Sequence, residues 1–253
     1  MSKPLILVCN DDGITAPGIR ALVEVVKEFG EVVVVAPDSP QSGKGHSITL
    51  TDPLRLKPVD PFDGIEAFKC SGTPADCIKI AKHHVLKGRK AALCVSGINH
   101  GSNSSINIVY SGTMGAAMEA AIEGIPSIGF SLLDFSHEAD MSVCKPYVRE
   151  LVKLALEKGL GGSQLLNVNI PALPAADIKG MKFCRQANGK WVENYIEKED
   201  PYGQKYYWLT GEYVYKDKGE DTDIWALENG YVSVVPSQFD STDYEGLEAL
   251  KVT

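Results

Sequence analysis

The residues best able to do chemistry stand in short polar stretches, each following an apolar run. The first is Asn10-Asp11-Asp12-Gly13, directly after Leu5 to Cys9. Adjacent carboxylates repel each other and invite a cation, although Asp-Gly is also a common turn pair and the tetrapeptide alone reads equally as a solvated turn. The second, Pro37 to Ser47, carries Ser42, Gly43 and His46. It is not a Walker-type loop, because Gly45 stands where a Ser or Thr is required and Asp38 where the first glycine belongs. The third, Ser96 to Asn103, holds Asn99 and His100. The fourth, Tyr110-Ser111-Gly112-Thr113, opens a helix with Gly115, Ala116 and Ala117 in its first turns. Free N–H groups and hydroxyls there suit a phosphate, and suit equally an N-cap followed by small residues for close packing.

Taken together, Asp11, Asp12, Ser42 and Asn99 form a set of hard oxygen donors with neither thiolate nor paired histidine beside them. Such a set suits one Mg²⁺ or Mn²⁺ ion per subunit rather than structural zinc. Asp11, Asp12 and Asn99 are the catalytic candidates. Ser111, Gly112 and Thr113, with Asn10, Gly43 and His46, are the candidates for holding phosphate or substrate. His46 and His100 read either as accessory groups or as loop histidines without a role. His83 and His84 fall in a helix, where packing or exposure is the plainer reading. Thr73-Pro74-Ala75-Asp76 reads as a capping box with proline at the first helical position.

Positioning these stretches requires elements that end where they begin. Leu5 to Cys9 reads as a buried strand, and Pro17 opens a helix whose Ile19, Leu22, Val23, Val26 and Phe29 keep helical spacing up to Gly30. Val32 to Ala36 is a second buried strand, which makes a parallel βαβ unit. Alternation from Ser47 to Cys70 indicates a β-hairpin-like excursion. A helix from Thr73 to about Leu86, a strand Ala91 to Val95, a helix Thr113 to Glu123, a strand Pro126 to Leu132, a helix from about His137 to Glu157 and a strand Leu165 to Ile170 follow. The pattern predicts an α/β fold with a Rossmann-like, doubly wound, mainly parallel sheet over residues 1–174. In such sheets ligands bind beyond the carboxyl ends of the strands, where the polar stretches lie.

Residues 175–253 form a C-terminal extension of different texture. Trp191, Tyr195, Tyr202, Tyr206, Tyr207, Trp208, Tyr213 and Tyr215 crowd into a charged segment. Aromatics at that density on short strands, with acidic neighbours, point to intersubunit contact ahead of nucleic-acid stacking. A homodimer or homotetramer is expected, with Tyr231 to Val235 rejoining the sheet and Thr242 to Val252 a terminal helix. No base-reading pocket can be picked out from the sequence.

Composition narrows the partners. With 25 Lys+Arg against 33 Asp+Glu and a net charge of −8, the chain lacks the basic surface that duplex nucleic acid demands. A small phosphorylated ligand stays open, because a few N–H groups or one cation can hold it. No apolar run reaches the roughly 18–20 residues of a membrane helix, and no signal peptide precedes Asp11. The six cysteines include no Cys-x-x-Cys and read as buried free thiols in a reducing cytoplasm.

Asn-Asp-Asp-Gly-Ile (10–14), Ala-Pro-Asp (36–38) with Ser42 and Gly-His-Ser-Ile-Thr (45–49), Gly-Thr-Pro-Ala-Asp-Cys (72–77), Val-Ser-Gly-Ile-Asn-x-Gly-x-Asn (95–103) and Ser-Gly-Thr (111–113) resemble the SurE family of survival-protein nucleotidases. The order and spacing carry the resemblance over nearly the whole chain, through Lys205-Tyr206-Tyr207-Trp208 and Gly230-Tyr231-Val232-Ser233. The resemblance implies a metal-dependent phosphatase acting on nucleoside 5′- and 3′-monophosphates, and on short polyphosphate. It implies a divalent ion held at Asp11, Asp12, Ser42 and Asn99, and a C-terminal part that mediates oligomers. Two other readings are a haloacid-dehalogenase-type phosphatase, whose Asp-x-Asp spacing is missing here, and a non-enzymatic, metal-linked nucleotide sensor.

Overall fold

Leu5 to Cys9 forms a fully buried strand whose side chains divide between two helical layers. The computed structural model describes residues 3–136 and 138–251. Its strands are β1 (Leu5–Cys9), β2 (Glu31–Pro37), β3 (Leu56–Val59), β4 (Glu66–Cys70), β5 (Ala91–His100), β6 (Ser127–Leu132), β7 (Leu165–Ile170), β8 (Met181–Phe183), β9 (Gly189–Glu199), β10 (Lys205–Tyr215) and β11 (Val232–Ser237). Its α-helices are α1 (Pro17–Val26), α2 (Pro74–Ile80), α3 (Gly112–Ile122), α4 (Lys145–Lys158), α5 (Asp223–Glu228) and α6 (Tyr244–Lys251). Ile6 and Val8 of β1 pack with Ile19 and Leu22 of α1 and Val148 and Leu151 of α4. Leu5, Leu7 and Cys9 face the other way, onto Cys77 and Ile78 of α2 and Ala116 and Ala120 of α3. Both faces are thus covered, which is why parallel strands read as continuous apolar runs.

The sheet runs β3-β4-β2-β1-β5-β6-β7-β11-β8. Strands β4, β2, β1, β5, β6 and β7 are mutually parallel. Strand β3 pairs antiparallel to β4, closing the expected hairpin excursion, and β11 pairs antiparallel to β7 with β8 at the edge. From β1 the chain moves outward to β2 and later returns to β5 on the opposite side. The order therefore reverses between β1 and β5, where an open α/β sheet leaves its ligand crevice.

Several boundaries depart from expectation. Strand β5 does not stop at Val95 but runs to His100, because after a register shift β6 pairs again at Asn99↔Ser131 and His100↔Leu132. Helix α2 ends at Ile80 and continues as a wider π-helical turn, Ala81–Val85. The helix expected from about His137, a residue outside those described, begins instead at Lys145 after a 3₁₀ turn, Met141–Cys144. Pro146 explains this: in a first turn its missing N–H costs nothing, whereas within a longer helix it would break a backbone bond. Helix α6 covers Tyr244–Lys251, and Val252 lies outside the described residues.

Beyond residue 174, β11 and β8 extend the main sheet with α5 against β11, while β9 and β10 form a separate two-stranded ribbon. All six cysteines are unbonded and buried. Among the described residues no helix is long and apolar enough to cross a membrane.

Candidate active site

Asp11 follows the end of β1 and is only 3% exposed, at the reversal point of the sheet. Its Oδ1 accepts a 2.5 Å hydrogen bond from the Thr113 hydroxyl in the first turn of α3. Ser111 caps that helix, its Oγ accepting from the Met114 N–H at 3.0 Å. Between them Gly112 lies so close that a Cβ there would stand 2.8 Å from the Asp11 Cβ and 3.0 Å from Oδ2. The Ser-Gly-Thr sequence thus brings a helix start against a buried carboxylate, which any larger residue at Gly112 would displace. Burial pushes the Asp11 carboxyl up to about 6; the Thr113 hydroxyl opposes that rise, and the neighbouring Asp12 charge adds to it.

Asp12 turns another way. Its Oδ2 meets His100 Nδ1 at 3.0 Å, linking the end of β1 to the end of β5. Asn99 donates from its amide nitrogen to the carbonyls of His100 and Gly101, at 3.1 and 2.9 Å. Its Oδ1 is therefore the atom left for an external partner. Asn103 fastens the far end of this loop. Its Nδ2 donates to Ser131 Oγ, its N–H donates to Asn169 Oδ1, and its carbonyl accepts from Asn167 Nδ2, each at 2.8 Å.

The loop after β2 is drawn over the same crevice by the Gln41 N–H, which donates to the Asp11 carbonyl at 2.8 Å. Its far end is held by the Gly45 N–H on the Tyr110 carbonyl at 3.1 Å and by His46, whose Nε2 lies 2.8 Å from Glu119 Oε2. Glu119 is 3% exposed and also pairs with Lys79 at 2.7 Å. Burial alone would raise the Glu119 carboxyl, but the hydrogen bonds from His46 and Lys79 outweigh it and hold the carboxyl below its ordinary value.

A cleft of about 270 Å³ results, lined by Asp11, Ser42, Gly43, Asn99 and Ser111 together with His100, Tyr110, Phe135 and Trp191. Of the expected residues, Asp11, Ser42, Gly43, Asn99 and Ser111 meet in one place. Gly112 and Thr113 stand behind Asp11, supporting it. Asn10 donates from Nδ2 to the Gly13 carbonyl at 2.9 Å, while its buried Oδ1 has no protein partner. His46 does not line the cleft but braces the Ser42 loop through Glu119. The capping box at Thr73 is formed, with Asp76 also accepting from Thr49. Sequence reasoning missed Asn107, Tyr110, Phe135 and Trp191. Trp191 donates to Asn107 Oδ1 at 2.8 Å across 84 residues of chain, a pairing that no local pattern signals.

Among the described residues no three His, Cys, Asp or Glu side chains form a ligand set. A cation here would have to draw on the Ser42 and Asn99 oxygens beside the carboxylates. That donor chemistry fits a hard divalent ion: all-oxygen, with one carboxyl whose raised value reflects a buried charge lacking a positive neighbour.

Comparison with known proteins agrees with this fold. The family model described as survival protein SurE matches residues 6–193. A 5′-nucleotidase SurE of Cytophaga hutchinsonii is 60% identical over 99% of this chain and 96% of its own length. Another, from Flavobacterium psychrophilum, is 57% identical over 99% and 97%. The crystal structure of the SurE protein from Aquifex aeolicus superposes with a TM-score of 0.84 at 41% identity, covering 98% of this chain and 99% of that one. Family model, full-length relatives and fold thus agree, and the chain belongs to the SurE family.

Proposed function

We propose that this protein is a 5′-nucleotidase that hydrolyses nucleoside monophosphates to nucleoside and phosphate with the aid of one Mg²⁺ or Mn²⁺ ion. Activity on 3′-monophosphates and short polyphosphate belongs to the same proposal, because a cleft that grips the phosphoryl group does not depend on which hydroxyl carried it. The observation that carries the reading is the meeting of Asp11, Ser42, Asn99 and Ser111, from three strand ends and one helix start, around a single cleft.

Asp11, Asp12, Ser42 and Asn99 would hold the ion. When bound, it supplies charge to a phosphoryl oxygen and acidity to a water. Ser111 and the N–H groups opening α3 orient the phosphate, since a helix start presents unsatisfied donors to an anion. Thr113 fixes the rotamer of Asp11, and Asn99 can turn its free Oδ1 inward only because its amide nitrogen is already engaged. His100, oriented by Asp12 through Nδ1, lines the cleft beside Asn99.

The same proposal includes a homodimer or homotetramer acting in the cytoplasm. The β9–β10 ribbon leaves Val192, Ile196, Tyr206, Trp208 and Val214 exposed, on one face by alternation. A lone two-stranded ribbon is at best marginal in water, so a second copy is its fitting cover.

Phosphate release over a panel of nucleoside monophosphates and polyphosphate, with each metal and with chelator, tests the reading. Multiple turnovers that stop on chelation are expected. Nucleotide binding without turnover would instead indicate a sensor, and a trapped phospho-aspartyl enzyme would replace direct water attack.

A further inference from the structure

The cleft does not end at Trp191. Tyr110 and Trp191 also form one wall of a second hollow of about 480 Å³, completed by Glu193, Leu209 and Gly211 at the root of the ribbon. The two hollows share these aromatic residues and lie side by side: the first holds Asp11, and the second has a mainly apolar lining.

Three features mark the second hollow as built for a flat ring. The indole N–H of Trp191 is already bonded to Asn107, leaving its apolar surface as what it can offer. Gly211 lies within β10 directly opposite Glu193, and a Cβ there would come within 2.7 Å of the Val192 carbonyl. The close approach of β9 therefore requires glycine there, and position 211 places no side chain in the hollow. Glu193 has no hydrogen bond or ion pair with other described residues, so its carboxylate stands at an apolar wall as an unused acceptor.

We propose that this hollow is the base-binding subsite of the nucleotidase. The nucleobase stacks against Tyr110 and Trp191 while Glu193 accepts from N–H groups on its edge. The inference rests on the nucleotidase reading and adds a selectivity to it. A carboxylate favours bases whose edge donates: guanine offers two adjacent N–H donors, whereas uracil flanks its single N–H with carbonyl oxygens. Guanine nucleotides are accordingly preferred to uracil nucleotides.

The test compares GMP, UMP and ribose 5-phosphate, which has no base, and adds a fluorescence titration with guanosine, which has no phosphate. Tyr110→Ala is expected to cost both nucleotides about tenfold more in kcat/KM than it costs ribose 5-phosphate, as loss of a stacking partner should. Glu193→Gln is expected to narrow the GMP-to-UMP ratio by at least about fivefold. Guanosine should quench tryptophan emission saturably in the wild type and not in Tyr110→Ala. The proposal is overturned if Tyr110→Ala slows all three phosphates equally, if Glu193→Gln leaves the ratio unchanged, or if guanosine fails to bind. Saturable guanosine binding without hydrolysis of any phosphate would uphold the subsite and remove the nucleotidase reading.

Discussion

Thr113 donates a 2.5 Å hydrogen bond to Asp11 across 102 residues of chain. It fixes a carboxylate at a strand end from the first turn of the helix that would also receive the phosphate. Thr113→Val keeps the shape and removes the donor. The Thr113 hydroxyl holds the Asp11 carboxyl down against burial, so its loss should raise that value further. The acid limb of kcat/KM is expected to move to higher pH, with kcat/KM near neutrality falling about tenfold. A pH–rate profile unchanged from wild type would remove the hydroxyl from the mechanism.

Glu119 ties His46 of the Ser42 loop to Lys79 of α2. Glu119→Gln leaves the Lys79 ammonium and the His46 ring beside a neutral amide and should lower Tm by about 5 °C, corresponding to about 2 kcal/mol. Released from its brace, the loop should also raise KM. The pH sense follows from the lowered carboxyl. Its contribution is fully present above the ordinary value of 4.5 and is lost as pH falls through the lowered folded value. The Tm gap between wild type and Glu119→Gln should therefore shrink in acid. A gap constant from neutral to acid pH would show that the ion pairs contribute nothing.

What could be read from sequence was what local patterns encode. Apolar runs bounded by polar stretches disclosed β1, β2, β6 and β7, and hence the strand ends where Asp11 and Ser42 sit. Asn99 was found although its strand was cut short, because Gly97 and the polar residues after Val95 interrupt the apolar run while β6 continues to pair. The Thr222 cap of α5, accepting from the Trp225 N–H, was a local signal that went unread. His46 with Glu119 and Tyr110 with Trp191 are partners brought together only by the folded sheet and ribbon. No periodicity in either segment reports these pairings.

Asp223 shows how far such tertiary support reaches. Fully buried, it accepts from the N–H groups of Ser105, Ala187 and Ile224 at 2.7–2.9 Å, tying the segment that holds Asn107 to the C-terminal part. Asp223→Asn replaces one acceptor oxygen with a donor facing other donors. It should destabilise by about 1–3 kcal/mol and, by loosening Asn107 and with it Trp191, weaken nucleotide binding more than metal binding. Calorimetric titration of Mn²⁺ and of nucleotide into the variant distinguishes this from simple unfolding, which would weaken both.

The raised Asp11 carboxyl makes the protein's stability depend on pH in opposite senses with and without metal. In chelator, the folded chain holds its proton to about pH 6, against an ordinary value of 3.8. Between these values the unfolded chain is ionised while the folded chain stays protonated, so folding loses stability as pH rises. The loss across the window is about 3 kcal/mol, from about two units of displacement at about 1.4 kcal/mol each. A divalent ion requires the ionised form, so its stabilisation should grow over the same window as the carboxylate becomes available. Asp11→Asn abolishes turnover, removes the pH slope and blunts the response to metal, and it should fold at least as well as wild type in chelator at neutral pH. Melting curves of both proteins from about pH 4 to pH 7, with chelator and with Mn²⁺, measure this directly. Parallel curves in chelator would mean that the Asp11 carboxylate is already compensated within the fold, and its claim as the principal metal ligand would fail.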